Sequence, residues 1–335
     1  MNQMSLLELA FGHIPARILH AAVELRLADA FTDGPQDHRD LAKRTDTDPA
    51  TLCRLLRALA GLGVVTQVDA DRFELTGTGR QLRADAPDSI RDHVLLHALP
   101  EVWRSWGGLG HSVRTGAPAR DPETGRTAAE FTLRDPELAA TYHTALADGS
   151  RLLAPEIIRA GDFGRFGTVA DIGGGDGTLL AGILAEVPGP RGVLYDLATA
   201  METAPAILSE AGVADRCEIV AGDVFTSVPS GADAYLLKNV VHVWDDEKSV
   251  AVLRNCRAAM GPDARLLLVE TVLPPLSTPD TSAQAQGDLN MLVWSGGRER
   301  TEDDFRALLG AAGLSLTTTT EVVPGYHLVE AEPAA

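Results

Sequence analysis

A chain of 335 residues, 45% of them hydrophobic and with a mean hydropathy close to zero, has room for two domains with their own cores and no bias toward disorder. Its net charge of −18, from 29 basic and 47 acidic residues, repels nucleic acid unless the basic residues cluster. No apolar run approaches the ~20 residues of a membrane span, and the start, MNQMSLLELAFGH, carries Glu8 and lacks the basic stretch of a secretory leader, so a cytoplasmic protein with no membrane partner is expected.

In chain order, Ile14, Ile18, Leu19, Ala22 and Leu25 mark one apolar helical face. A second helix is predicted over Gln36–Arg44. A third has Asp48 as N-cap, Pro49 at its first position and Leu52, Leu55, Leu56, Leu59 and Leu62 on one side. Val64–Val68 and Arg72–Thr76 read as a hairpin. Three helices and a hairpin form a winged-helix unit, which serves either DNA binding, with Arg54 and Arg57 as phosphate contacts, or dimerisation. Asp37, Asp40, Asp46, Asp48, Asp69 and Asp71 crowd the same unit and favour dimerisation. Residues 85–160 read as mainly helical. His93 and His97 stand four apart, but the Glu of H-E-x-x-H is missing, so no metal is expected there. Trp103, Trp106, Tyr142 and His143 add aromatic surface, open to a ligand-facing or a packing role. Cys53, Cys217 and Cys256, odd in number and set among apolar residues, read as buried free thiols.

From Thr168 onward, strand and helix alternate, the mark of a doubly wound parallel sheet. Strands are predicted at Thr168–Ile172, Gly192–Leu197, Cys217–Ala221, Ala234–Lys238 and Ala264–Glu270. Helices are predicted over Glu202–Ala211, from the Asp245 cap to about Met260, and from the Thr301/Asp304 capping box to near Gly310. Leu314–Val323 and Tyr326–Ala331 form a closing hairpin. The domains expected are 1–95, a winged-helix dimerisation unit; 96–160, a helical bridge lining the substrate pocket; and 161–335, an α/β nucleotide-binding unit.

TVADIGGGDGTLL, starting at Thr168, is strand, glycine turn and helix, the geometry that brings backbone up to a nucleotide. Gly173, Gly175 and Gly177 do not fit G-x-G-x-x-G, because Thr178 occupies its last position. Preceded by Asp171, this spacing suits a ligand carrying an ammonium and a sulfonium better than a pyrophosphate. Asp171, Asp196 and Asp223 fall at the carboxyl ends of successive strands, hence on one ligand-binding edge. Asp196 is placed to accept from ribose hydroxyls and Asp223 from an adenine amine. Farther on, His242 ends a strand beside the glycine loop and precedes the Asp245 cap. Imidazole is the base suited to a phenol near neutral pH, and Glu270 and Glu299 are available to orient its ring.

With DIGGGDG, GDVF, LKNVVHVWDDE, LLLVETVLP and DLNMLVWSGGRERT on the page, the chain resembles the S-adenosylmethionine (SAM)-dependent small-molecule O-methyltransferases, plant caffeic-acid and flavonoid enzymes and bacterial antibiotic-tailoring enzymes among them. The resemblance covers nearly the whole chain. It implies a homodimer joined through the N-terminal domain and a Rossmann-like sheet whose seventh strand is antiparallel. It also implies Gly173 at the cofactor, Asp196 on the ribose, Asp223 and Val224 about the adenine, a backbone contact from Lys238, and Trp244 stacked near the adenine. His242 matches the general base, and Glu270 and Glu299 its two flanking carboxylates. SAM is then the cofactor, S-adenosylhomocysteine (SAH) the product, and no metal or nucleic acid is expected. The acceptor expected is an aromatic or polyketide-like hydroxyl of secondary metabolism, with Asn290, Met291, Trp294 and His143 about it. Many members have Asp directly after the histidine, whereas this chain has Val243, so plant acceptors do not transfer to it. C- or N-methylation, a non-methylating relative, and a winged-helix sensor of small molecules are the competing readings.

Overall fold

A computed structural model describes residues 6–334, with one core in the N-terminal helices and wing and one on each face of a downstream sheet; the first five residues of the start and residue 335 lie outside the described residues. The described residues through Trp103, together with Ala140–Gly149, make one compact unit, and Arg104–Ala139 with the chain from Ser150 makes the other. The stretch 96–160 contributes to both.

In the first unit the helices His13–Glu24, His38–Thr45 and Pro49–Gly61 bury Ala22, Val23, Leu41, Leu52, Leu56 and Leu59 against Phe73. Asp48 caps the third as expected, accepting from Thr51 N at 2.8 Å. The second helix starts at His38, two residues later than its periodicity suggests. Gln36–Asp37 is a strand, β1, whose Asp37 carboxylate accepts from Arg39 N and caps the helix. It pairs antiparallel with β3 (Arg72–Leu75), which also pairs with β2 (Val65–Gln67), completing the wing.

The second unit is built on a sheet whose strands are β4 (Thr168–Ile172), β5 (Arg191–Asp196), β6 (Cys217–Ala221), β7 (Ala234–Lys238), β8 (Arg265–Leu273), β10 (Leu314–Val323) and β11 (Tyr326–Pro333). Their order is β10-β11-β8-β7-β4-β5-β6; β4 to β8 run parallel, and β11 lies antiparallel to β8 and β10. A two-residue strand, β9 (Arg300–Thr301), pairs with the far end of β8. Along β7, Ala234 and Leu236 enter one core with Leu180 and Ile183, while Tyr235 and Leu237 enter the other with Leu253 and Phe305. Both faces are therefore covered, as a central parallel sheet requires.

β6 and β7 match their predicted limits, and Asp245 and the Thr301/Asp304 box cap the helices Asp246–Ala259 and Glu302–Ala311. β5 is shifted one residue earlier and β11 runs two residues longer than expected, and three further elements differ for a physical reason. Pro205 sits in the first turn of a helix spanning Ala204–Glu210, and Ala198–Met201 ahead of it is a separate 3₁₀ turn. β8 runs past Glu270 to Leu273, because β11 and β9 pair with its last residues. The helix Ser282–Trp294 has no counterpart in the sequence prediction. Cys53 and Cys256 are buried free thiols and Cys217 is half-buried; burial pushes Cys256 up to about 12. Among the described residues no helix is long and apolar enough to cross a membrane.

Candidate active site

The glycine turn after β4 works by conformation and by close approach. Gly173, Gly175 and Gly177 have φ of +72°, +59° and +80°, the left-handed region that side chains disfavour. A Cβ on Gly173 would come within 2.9 Å of Val240, and one on Gly177 within 2.9 Å of Leu194. At Gly175 a Cβ would meet nothing within 4 Å, so there the loop faces open space. The loop is tied to the next strand: Gly173 N donates to Tyr195 O at 2.8 Å, and Gly175 N donates to Asp196 Oδ2 at 2.9 Å. Leu197 N donates to Asp196 Oδ1 at 2.6 Å.

β4, β5 and β6 are neighbours, so Asp171, Asp196 and Asp223 follow one another along the carboxyl edge of the sheet. Their environments differ. Asp171 is 2% exposed and its Oδ2 has no hydrogen-bond partner. Burial, then the nearby Asp196 charge, pushes its carboxyl up to about 7, with Lys238 opposing. Lys238, at the end of β7, is brought down to about 8 by burial, against the pull of Glu270 and Asp171. Asp223 is exposed, and its Oδ1 accepts from Phe225 N at 2.9 Å. Asn255 Nδ2 donates to Val224 O at 2.7 Å, and the Trp244 ring meets Phe225 edge-on with centroids 4.9 Å apart. Leu197 and Phe225, directly after Asp196 and two residues after Asp223, are 55% and 42% exposed. Large apolar side chains left open on both sides of a carboxylate edge suit a flat aromatic base. An orphaned buried carboxylate, one opposing lysine and a glycine loop whose single side chain is another carboxylate, Asp176, fit SAM's cationic end and its adenosine, not a pyrophosphate.

His242 lies in a 3₁₀ turn, Val241–Val243, after β7. Its Nδ1 is 3.1 Å from Glu299 Oε1 and 3.4 Å from Glu270 Oε2. Both carboxylates are buried, at 4% and 0% exposure, so little water screens the charges. Glu270 Oε1 accepts from Val240 N and Val241 N, each at 3.0 Å, while Glu270 Oε2 and Glu299 Oε2 lack hydrogen-bond partners. Burial disfavours the imidazolium, but Glu270 and Glu299 together outweigh it and hold the His242 pKa above 6.5, with Lys238 in opposition. Burial, with Glu299 beside it, raises the Glu270 carboxyl, against His242 and the two amides. With Nδ1 turned to two carboxylates, the proton of the neutral ring belongs on Nδ1 and the lone pair on Nε2. These three side chains are the one group of metal-ligand type with donor atoms all within 4.8 Å of one another among the described residues.

The turn carrying His242 is held by a segment more than fifty residues away in sequence. Arg300, 1% exposed, donates to Val241 O and Trp244 O at 3.1 Å each, to Ser249 Oγ at 3.2 Å, and pairs with Asp246 Oδ1 at 2.7 Å. Arg298 N donates to His242 O at 2.9 Å and Ser295 Oγ to Val243 O at 2.8 Å. Every carbonyl from Val241 to Trp244 is thus captured by residues 295–300, the segment that also delivers Glu299. Asp288 Oδ1 accepts from Glu299 N at 2.9 Å. The sequence reading passed over Ser295, Gly297, Arg300 and Asp288; a buried arginine inside GGRERT carries no local signal of its burial.

Asn290, Met291 and Trp294 lie on the helix Ser282–Trp294, one and two turns beyond Gly287, where a Cβ would stand 4.0 Å from Glu299 Oε1. Asn290 and Met291 are half-buried and Trp294 is 7% exposed. The helices Leu109–Thr115 and Ala128–Thr132 pack against this one. His143 belongs to the first unit, its ring edge-on to Tyr142 at 5.5 Å. The His93 and His97 rings stack at 6.3 Å, and burial, then His93, lowers the His97 pKa.

A glycine turn and carboxylate edge on a sheet closed by an antiparallel hairpin, with a histidine held between two glutamates, define a small-molecule methyltransferase of Rossmann-like fold. The chain belongs to the SAM-dependent O-methyltransferase family: residues 106–315 match the O-methyltransferase domain, and residues 7–85 match the O-methyltransferase dimerisation domain. It is 41% identical over 340 residues to the O-demethylpuromycin-O-methyltransferase of Streptomyces alboniger, covering 99% of this chain and 89% of that one. It is similar to the crystal structure of LaPhzM, with a TM-score of 0.92, 38% identity and 98% of each chain covered. A second similar structure is the O-methyltransferase NcsB1 from neocarzinostatin biosynthesis in complex with SAM and 2-hydroxy-5-methyl naphthoic acid. It has a TM-score of 0.82, 30% identity, and 99% of this chain and 100% of that one covered.

Proposed function

We propose that this enzyme methylates a hydroxyl of an aromatic or polyketide-like small molecule of secondary metabolism, with His242 as general base. The observation that carries the reading is the His242 ring, its Nδ1 facing two buried carboxylates and its Nε2 left to accept a proton. SAM supplies a methyl on a sulfonium, an electrophile for which a deprotonating hydroxyl is a suitable partner. Glu299 and Glu270 fix the Nδ1–H tautomer and stabilise the ring once it is cationic. Gly173, Gly175, Asp171, Asp196, Asp223, Val224, the Lys238 backbone and Trp244 hold the cofactor, and Leu197 and Phe225 join them about the base. Asn290, Met291 and Trp294 form the acceptor's wall on the Glu299 side. Most of the rate gain comes from holding the acceptor oxygen about 3 Å from the methyl in a water-poor site. The domain roles follow: 1–95 joins two copies, 96–160 contributes acceptor-side helices, and 161–335 binds SAM. The three unpaired cysteines suit the cytoplasm. A screen of phenolic acceptors with methyl-labelled SAM tests the reading, and label recovered on carbon or nitrogen alone would replace O-transfer with the competing chemistry.

Three results are expected here. The base must be neutral to act, and its two carboxylates raise its pKa above 6.5, so kcat/KM falls on acidification through a value above 6.5, not below it. Asp196→Asn weakens SAH binding by at least ~10-fold, the scale of one charged hydrogen bond; calorimetric affinity within twofold of wild type would remove Asp196 from the cofactor site. Dialysis against a chelator leaves turnover unchanged, since the proposed step needs a base and a sulfonium methyl and no Lewis acid; loss restored by a divalent cation would make His242, Glu270 and Glu299 metal ligands instead.

A further inference from the structure

Tyr326 opens β11 immediately after the Pro324-Gly325 turn, paired with Thr271, the residue that follows Glu270 in β8. Its hydroxyl donates to Asn239 Oδ1. Asn239 is the first of the two residues between the end of β7 and the His242 turn, and it holds a left-handed backbone with φ of +56°. Its own N–H donates to Val269 O at 3.1 Å, the last backbone-to-backbone tie to β8 before the chain turns away. Because Asn239 turns the chain there, the next two amides, of Val240 and Val241, converge on Glu270 Oε1. The following residue is His242. Asparagine enters the left-handed region more readily than most side chains, and here its side chain is anchored by the tyrosine hydroxyl.

We propose that Tyr326 is a positioning residue of the methyl-transfer centre: by anchoring the left-handed Asn239 it aims two backbone amides at Glu270 and so fixes that carboxylate beside His242. The inference rests on the reading of His242 as base. Tyr326 keeps its proton throughout, since burial and the charges of Glu270 and Glu299 raise its phenol well above 10. It is therefore a permanent donor to Asn239 and takes no part in proton transfer. One link here is particular to the side chain: phenylalanine preserves the ring's packing and removes only the anchor.

The test compares Tyr326→Phe and Asn239→Gly with wild type. Glycine accepts the left-handed φ but offers nothing for Tyr326 to hold. Each variant is expected to lower kcat by roughly 5–20-fold, with SAH affinity and acceptor KM within about twofold. The His242 imidazole resonance, assigned by its absence in His242→Gln, should titrate at least ~0.5 units lower, because a loosened Glu270 supports the imidazolium less. Combined with Glu270→Gln, Tyr326→Phe should add almost nothing, as two changes along one chain of contacts do. A purely structural tyrosine would lower the melting temperature and leave the titration unmoved, which overturns the proposal, as does full additivity with Glu270→Gln. If Tyr326→Phe fails to fold, Asn239→Gly alone decides by the same readouts. The imidazole titration is read without turnover, so it stands even where His242→Ala proves the base reading wrong.

Discussion

His242→Ala lowers kcat by about 10²-fold or more while SAM and SAH affinities stay within about twofold of wild type. The affinity half follows from the layout: the cofactor edge proposed above is the glycine turn with Asp171, Asp196 and Asp223, and His242 is not part of it. The rate half follows from the acceptor. A phenol with a pKa of about 10 is almost wholly protonated at neutral pH, and the base that would relieve it is gone. Alanine also leaves the buried Glu270 and Glu299 without the imidazole between them. Glu299→Gln separates orientation from charge. The amide still offers an oxygen to Nδ1–H, so the tautomer survives, but one of the two charges supporting the imidazolium is removed. Turnover should fall about 10-fold, and the acidic limb of kcat/KM should move to lower pH. If His242→Ala turns over at the wild-type rate, positioning alone drives the reaction and His242 only packs.

How much of this was legible beforehand depended on whether a residue's role is local. β6 and β7 are short apolar runs bounded by turn formers, and both limits read directly from the chain. Asp48, Asp245 and Thr301 announce helices because a cap acts within three residues. The carboxylate edge was readable because strand order in a parallel sheet brings successive strand ends together. The helix Ser282–Trp294 was not, since its first half, SAQAQGD, carries no apolar periodicity and its apolar residues crowd into the last turns. Leu197 and Phe225 gave no signal either, since an exposed apolar residue in a loop has meaning only once its neighbours are in place. Arg300 is the sharpest case. Charged residues in a glycine-rich stretch read as solvent-exposed, yet this one is buried because four carbonyl and hydroxyl acceptors and Asp246 converge on its guanidinium. All but the Arg298 carbonyl lie on the His242 turn and the helix after it, and nothing within the motif indicates those.

The same clamp yields the second large effect, at Gly297. Its φ is not in the left-handed region, so a side chain meets no conformational penalty there; the obstacle is space. A Cβ would stand 2.0 Å from His242 O, 2.5 Å from Val243 C and 2.6 Å from Val243 O. All three are backbone atoms of the turn that carries His242, and no rotamer change can clear them. Gly297→Ala must therefore push residues 295–300 and 241–244 apart by roughly an ångström to reach van der Waals contact. The bonds that span the gap lengthen together: Arg298 N to His242 O, Ser295 Oγ to Val243 O, and Glu299 Oε1 to His242 Nδ1. Overpacking of this kind costs about 1–3 kcal/mol, and a misplacement of about 1 Å at a reacting group costs about 10²-fold in rate. We expect both, a lower melting temperature and turnover reduced about 10²-fold with SAH affinity nearly intact. Gly310→Ala is the control, since a Cβ there meets nothing within 4 Å inside the helix Glu302–Ala311, and it should raise stability by about 0.5–1 kcal/mol. The contrast is diagnostic because both substitutions add the same single carbon. A Gly297→Ala enzyme with wild-type turnover and melting temperature would mean that the two segments do not close on His242 in solution.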